Sequence, residues 1–105
     1  MSEINVIAVV TPKPGQKAVT LEGFSRLAAE VEKNEPGCLI HRIHETEEGE
    51  LVVFQRFKNK EAAEAHRKAD YVQKAIEASK AAGDLAQEPY FKIFSGNPVA
   101  GFGPR

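Results

Sequence analysis

The sequence has one cysteine in 105 residues, almost no net charge and no long apolar run, and each lack removes a class of protein. A lone Cys38 cannot close an internal disulfide, and no leader with a charged start, an apolar stretch and a small-residue cleavage site opens the chain. The expected compartment is therefore the cytoplasm. Fourteen Lys and Arg stand against fifteen Asp and Glu, a net charge of -1, and the signs are interleaved rather than blocked. A nucleic-acid surface would need a clustered basic stripe to release counterions from phosphate, so no nucleic-acid partner is expected. No run approaches the roughly 20 apolar residues that span a bilayer, which argues against a membrane protein. Site motifs are missing too. There is no H-x-H, HExxH or paired Cys/His spacing, and no glycine-rich phosphate loop, so neither a metal nor a cofactor is expected.

What is present suffices for one domain, since a single core needs only about 100 to 150 residues. INVIAVVT, Ile4 to Thr11, is a β-branched run stopped by KPG, and reads as a first strand. From Gln16 to about Lys33, Leu21, Phe24, Ala28 and Val31 recur at three or four and predict a helix with one apolar stripe. Pro36-Gly37 ends it. CLIHRIHE from Cys38 and LVVFQRF, Leu51 to Phe57, flank the short polar turn TEEGE and predict an antiparallel hairpin. Asn59 is a candidate N-cap for a helix from Lys60 to Ala69. Asp70 is the expected cap of a further helix, with Gln73 in the capping-box position, Val72, Ala75, Ile76 and Ser79 on one stripe, and Gly83 as its stop. YFKIF, Tyr90 to Phe94, is the last strand.

Strand, helix, strand, strand, helix, strand is the order of an α+β, ferredoxin-like βαββαβ fold: a four-stranded antiparallel sheet with helices on one face. The domain spans 1–95. A Gly/Pro-rich tail, 96–105, follows, and is expected to dock on the domain or on a partner. Along Leu51 to Phe57, Val52, Phe54 and Arg56 point one way and Leu51, Val53, Gln55 and Phe57 the other. Both sets carry large apolar groups, yet helices cover only one face. A second copy of the chain, sheet against sheet, is the expected cover, making a homodimer in which Arg56 pairs with a partner carboxylate.

EPGCLIHRIHE, Glu35 to Glu45, followed at this spacing by LVVFQRFKNKEAAEAH, Leu51 to His66, resembles the antibiotic biosynthesis monooxygenase family of small quinol monooxygenase-like proteins. The resemblance runs from about Ile4 to Phe94. It implies a dimeric α+β barrel with a pocket between sheet and helices, and oxidation of an electron-rich aromatic or quinol without metal or flavin. The chain departs from the family pattern at several positions. Ala69, Asp70, Tyr71 and Val72 stand where many members have Ser-Pro-His-Phe. Val53 and Phe57 stand where one antibiotic-pathway branch holds a polyphenol with Asn and Trp, and Ile76 where the haem-degrading branch has its ligating histidine. Another branch isomerises a phosphorylated sugar-like molecule, so the fold alone does not fix the reaction.

His66 shares the inward stripe of its helix with Ala62, Ala65 and Ala69, and such small neighbours leave room beside an imidazole for a flat ligand. A neutral imidazole, with a free pKa of about 6.5, can take a proton from a phenol, which makes His66 the candidate base. Alternatively it is a core-edge residue bonded to a backbone carbonyl. Tyr71 is placed to cap the pocket, and Phe57 and Phe24 to form its apolar walls. His41 and His44 fall on opposite faces of their strand and cannot share a metal. Cys38 reads as a small buried apolar residue. The function expected is cofactor-independent oxygenation of a small aromatic or quinol. The alternatives are a non-catalytic small-molecule-binding or stress-response dimer, and an isomerase of a small polar metabolite.

Overall fold

The computed structural model describes residues 2–105. Its elements are β1 (Ile4–Val10), α1 (Lys17–Asn34), β2 (Cys38–Glu45), β3 (Leu51–Phe57), α2 (Lys60–Lys68), α3 (Asp70–Ala82) and β4 (Tyr90–Ser95). The four strands form one sheet in the order β2-β3-β1-β4, antiparallel throughout. That is the ferredoxin-like α+β arrangement expected from the element order.

β3 lies between β1 and β2 and sets the faces. Leu51, Val53, Gln55 and Phe57 are buried, while Val52, Phe54 and Arg56 between them are half-buried. Directly opposed residues share a face, so buried Ala8 and Val10 of β1 and half-buried His41 and Ile43 of β2 lie on the same side. The helices lie over this face, where the His66 ring of α2 packs on Phe57. Arg56 turns to the other face. Its Nε donates to Asn5 Oδ1 at 2.8 Å and lies 3.7 Å from Glu3.

Two helical stripes are rotated from expectation. On α1, Leu21 is exposed and Thr20 is buried in its stead, because the Thr20 hydroxyl donates to the Asp84 carboxylate at 2.9 Å. On α3, Val72 is buried but Ile76 is 43% exposed. The boundary between α2 and α3 also differs in its chemistry. Asn59 caps α2 as expected, accepting from the Ala62 amide. Asp70, however, is already helical; extended Ala69 is the cap, and the Gln73 side chain donates back to the Arg67 carbonyl instead of closing a capping box. Gly83 ends α3 with φ +62°, a left-handed conformation that glycine adopts without penalty. Gly37 is needed for space: a Cβ there would come within 2.9 Å of Ala62, and the start of β2 could not sit against α2. Every residue of β4 is exposed, and in the tail Val99 and Phe102 are exposed as well.

Asp84 is the polar staple of the layer. Buried at 7% exposure, it accepts from Thr20 of α1 and Ser79 of α3. Its own carbonyl accepts from the Lys13 amide. Replacing Asp84 by Ala leaves the Thr20 hydroxyl only its Gln16 carbonyl acceptor and Ser79 without its own, and should lower the unfolding free energy by about 1–3 kcal/mol in urea titrations. A loss below about 0.5 kcal/mol would show that the helices are held by apolar packing alone.

Candidate functional site

α1 ends at a proline-glycine step, and Glu35 is the residue that leaves the helix there, its amide still bonded to Val31. The residue before a proline is pushed out of helical angles. Glu35 accordingly takes φ -125° and ψ 79°, so its side chain is no longer bound to the helical rotation. Both carboxylate oxygens lie 3.0 Å from His66 Nδ1. The Tyr71 hydroxyl donates to the same carboxylate. Glu35 thus joins α1, α2 and α3 at one point, with His66 and Glu35 side chains only 12% and 14% exposed.

The break at Ala69 makes this convergence possible. In one continuous helix, residues five apart point about 140° away from each other. Ala69 is extended, with ψ 138°, and this re-aims the following helix so that Tyr71 reaches the carboxylate already held by His66. Beneath them the Phe57 ring lies 5.2 Å from the His66 ring, and the His41 ring 6.4 Å from it, edge-on. His66, Tyr71 and Phe57 are therefore brought together. Phe24 is half-buried on α1, outside this cluster, and none of these four residues lines either cavity at this end of the molecule. Nor is His66 bonded to a backbone carbonyl, because Glu35 takes that place.

Two cavities flank the cluster. One of about 530 Å³ opens between α1 and β2, with Ala28, Glu32, Glu35, Leu39 and His41 in its wall. A smaller one of about 210 Å³ is bounded by Glu35, Cys38, Lys58, Ala62 and Ala65. The alanines of α2 do leave space, but on the Glu35 and Cys38 side; the His66 ring itself is occupied by its carboxylate and aromatic neighbours.

The environment fixes protonation at three of these groups. Burial, then the Glu35 charge, pushes the Cys38 thiol up to about 11, so it is not a thiolate nucleophile near neutral pH. Burial, followed by the Glu35 hydrogen bond and charge, raises the Tyr71 phenol well above its ordinary value, and it remains a donor. Burial and the neighbouring His66 lower His41 below 6.5 against the opposing pull of Glu35, keeping it neutral. Among the described residues no group of three or more His, Cys, Asp or Glu is placed to hold a metal ion, and no helix is long and apolar enough to cross a membrane.

Sequence reasoning missed Glu35 and weighed His41 only as a metal ligand. The available signal for Glu35 was its position: an acid at the negative end of a helix dipole is electrostatically misplaced unless something else holds it.

A family model described as antibiotic biosynthesis monooxygenase matches residues 3–78. Among solved structures, the chain is similar to a candidate antibiotic biosynthesis monooxygenase from Caulobacter crescentus, with 29% identity, TM-score 0.83 and 92% of each chain covered. Rv0793 from Mycobacterium tuberculosis shares the fold at 21% identity and TM-score 0.81, over 95% of this chain and all of that one, 100%. So does a further candidate monooxygenase from Deinococcus radiodurans, at 16% identity and TM-score 0.82, over 95% and 98%. No curated protein matches.

The lowered His41 has a consequence for stability. With a folded pKa below 6.5, this histidine holds fewer protons than the unfolded chain does once the pH falls past that value. Its contribution is complete above pH 6.5 and is lost as the pH drops. The Tm should therefore fall between about pH 7 and pH 5, and His41→Leu should flatten that fall. An unchanged slope in the variant would show that His41 does not carry the effect.

Proposed function

This chain belongs to the antibiotic biosynthesis monooxygenase family, and on that footing we propose that it is a cofactor-independent monooxygenase acting on a small aromatic or quinol substrate. The observation that carries the reading is the Glu35–His66–Tyr71 cluster. A carboxylate holding one imidazole nitrogen fixes the tautomer and leaves the other nitrogen as a proton acceptor, the same logic as the orienting acid of a hydrolase triad. His66 is assigned as the base, with Nδ1–H donating to Glu35 and Nε2 accepting the substrate's phenolic proton. Glu35 holds the imidazole in place and balances the charge it gains. Tyr71 and Phe57 bound the site, and Phe24 is left as a wall further along α1.

The chemistry balances without a further reductant. A deprotonated hydroquinone gives one electron to oxygen, the resulting pair combines at a ring carbon, and loss of water leaves a hydroxylated quinone. One oxygen atom enters the product and the other leaves as water. The protein has to bind the ring, take the proton and keep water away. For the alternative, an isomerase of a small polar metabolite, Glu32 and Glu35 in the wall of the larger cavity disfavour an anionic, phosphorylated substrate.

Metal-free protein should consume oxygen with some member of a hydroquinone panel, after subtraction of autoxidation. His66→Ala should abolish this, and Glu35→Gln should cut kcat by roughly 10 to 100-fold with little change in KM. No uptake across the panel would instead favour the non-catalytic binding dimer.

The same reading includes a cytoplasmic homodimer that closes the α+β barrel. It is supported by Tyr90, Phe91, Ile93 and Phe94 on β4, all exposed at the sheet's edge, and by Val99 and Phe102 in a tail that would dock on the partner. Sedimentation should give a dimer at micromolar concentration. A stable monomer would leave that apolar surface facing water and defeat this part of the reading.

A further inference from the structure

Side chains of a regular strand alternate faces, yet Cys38, Leu39 and His41 all stand in the wall of the larger cavity. The register explains this. Cys38 is paired with Phe57 and Ile40 with Arg56, which are neighbours on β3, so Leu39 is an extra residue with no partner across the strands, a β-bulge. The Cys38 thiol donates to the Ile40 carbonyl at 3.3 Å and clasps the two ends of the bulge. In an unbroken strand Cys38 and His41, an odd number of residues apart, would face opposite sides. The inserted residue instead brings both to the cavity and leaves the Leu39 side chain at its rim, 49% exposed. Across the cavity α1 presents Ser25, Ala28, Ala29 and Glu32, whose spacing puts them on one stripe of the helix. The first three are small. Leu39 is thus a large apolar side chain facing a wall of small ones, and its reach sets the width between them.

We propose that Leu39, held at the rim by the bulge, is a specificity-determining residue that limits the size of the flat, uncharged ring admitted between α1 and β2. The proposal rests on the aromatic-substrate reading above and adds to it the size of ring accepted. A cavity of about 530 Å³ falls within the range of small-molecule sites. Leu39 and the alanines offer a ring apolar surface, while the Glu32 and Glu35 carboxylates repel anions. A ring must pass edge-on between Leu39 and the small residues of α1. Burial alone rewards the larger ring, because transfer from water scales with apolar area. A rim that collides with the larger ring reverses that order, since displacing a packed side chain from its preferred rotamer costs free energy. The clasped bulge leaves the Leu39 backbone little room to yield. Affinity against ring size therefore reads the action of Leu39 directly.

The test is fluorescence titration of the full chain, in deoxygenated buffer near neutral pH, with 2-naphthol and 1-hydroxypyrene. Both probes are uncharged there and carry a single hydroxyl; they differ in having two against four fused rings. The native protein should bind 2-naphthol about tenfold tighter or more, against the trend of apolar area. Leu39→Ala should reverse the order, and Leu39→Trp should weaken 2-naphthol by about tenfold or more. Both variants should melt close to the native temperature, because Leu39 is half exposed and its replacement opens no cavity in the core. A native preference for 1-hydroxypyrene, an order and affinity unchanged in both variants, or binding of neither probe would overturn the role of the rim. Oxygen uptake plays no part in this titration. A size order that follows Leu39 in a protein that consumes no oxygen would uphold the rim and remove the oxygenase reading, and uptake without any size order would do the reverse.

Discussion

The alternation of β3 is the constraint on which the rest of the molecule depends. Side chains along a strand change face at every residue, and β3 is hydrogen-bonded on both edges, so its register is shared by the whole sheet. Leu51, Val53 and Phe57 are each at most 2% exposed, and they are the floor against which the helices close. A slip of one residue would bring Arg56 and its Asn5 and Glu3 partners inward and send Phe57 out from under His66. The site is thus specified by the same register that specifies the core. Gln55 is the exception within that row: a polar residue kept where apolar ones would pack without loss.

On the helical side, organisation comes from one carboxylate in an electrostatically awkward place. Carbonyl groups at the end of α1 make its C-terminus partially negative, and Glu35 adds a full negative charge. The cost is offset by the His66 ring and the Tyr71 hydroxyl. Each comes from a different helix, so the charge also fixes how the helices sit relative to one another. Remove the bend at Ala69 and Tyr71 rotates away; place a side chain at Gly37 and the start of β2 is pushed off α2. Local backbone choices that look incidental therefore hold the cluster together.

Elements were legible in the sequence where the signal is local. The bounds of β2 and β3, the Asn59 cap and the Gly83 stop follow from periodicity and capping chemistry within a few residues; the division of the later helix falls where expected, but without the Asp70 cap. Legibility fails where partners are distant. Glu35 meets His66 across 31 residues of chain and Tyr71 across 36, and no local pattern announces either pairing. Thr20 takes the inward position beside Leu21 because Asp84, 64 residues on, offers it a hydrogen bond that leucine cannot make. Phe24 rests on size and period alone, and period fixes the face of a helix but not the height along it. Family resemblance supplied the pocket's general location and His66, yet His41 and Gln55 became visible only when the register put them opposite each other.

The protonation pattern narrows what the cluster can do. Cys38 and Tyr71 are both raised and so keep their protons near neutral pH, while His41 is lowered and stays neutral. Cys38, Tyr71 and His41 are thus each held in one state, chiefly by burial. Glu35 and His66, joined by their hydrogen bond, are the remaining polar pair of the cluster. In the proposed oxygenation the sheet, through Cys38 and His41, contributes groups of fixed protonation, and the helices, through His66 and Glu35, contribute the proton acceptor.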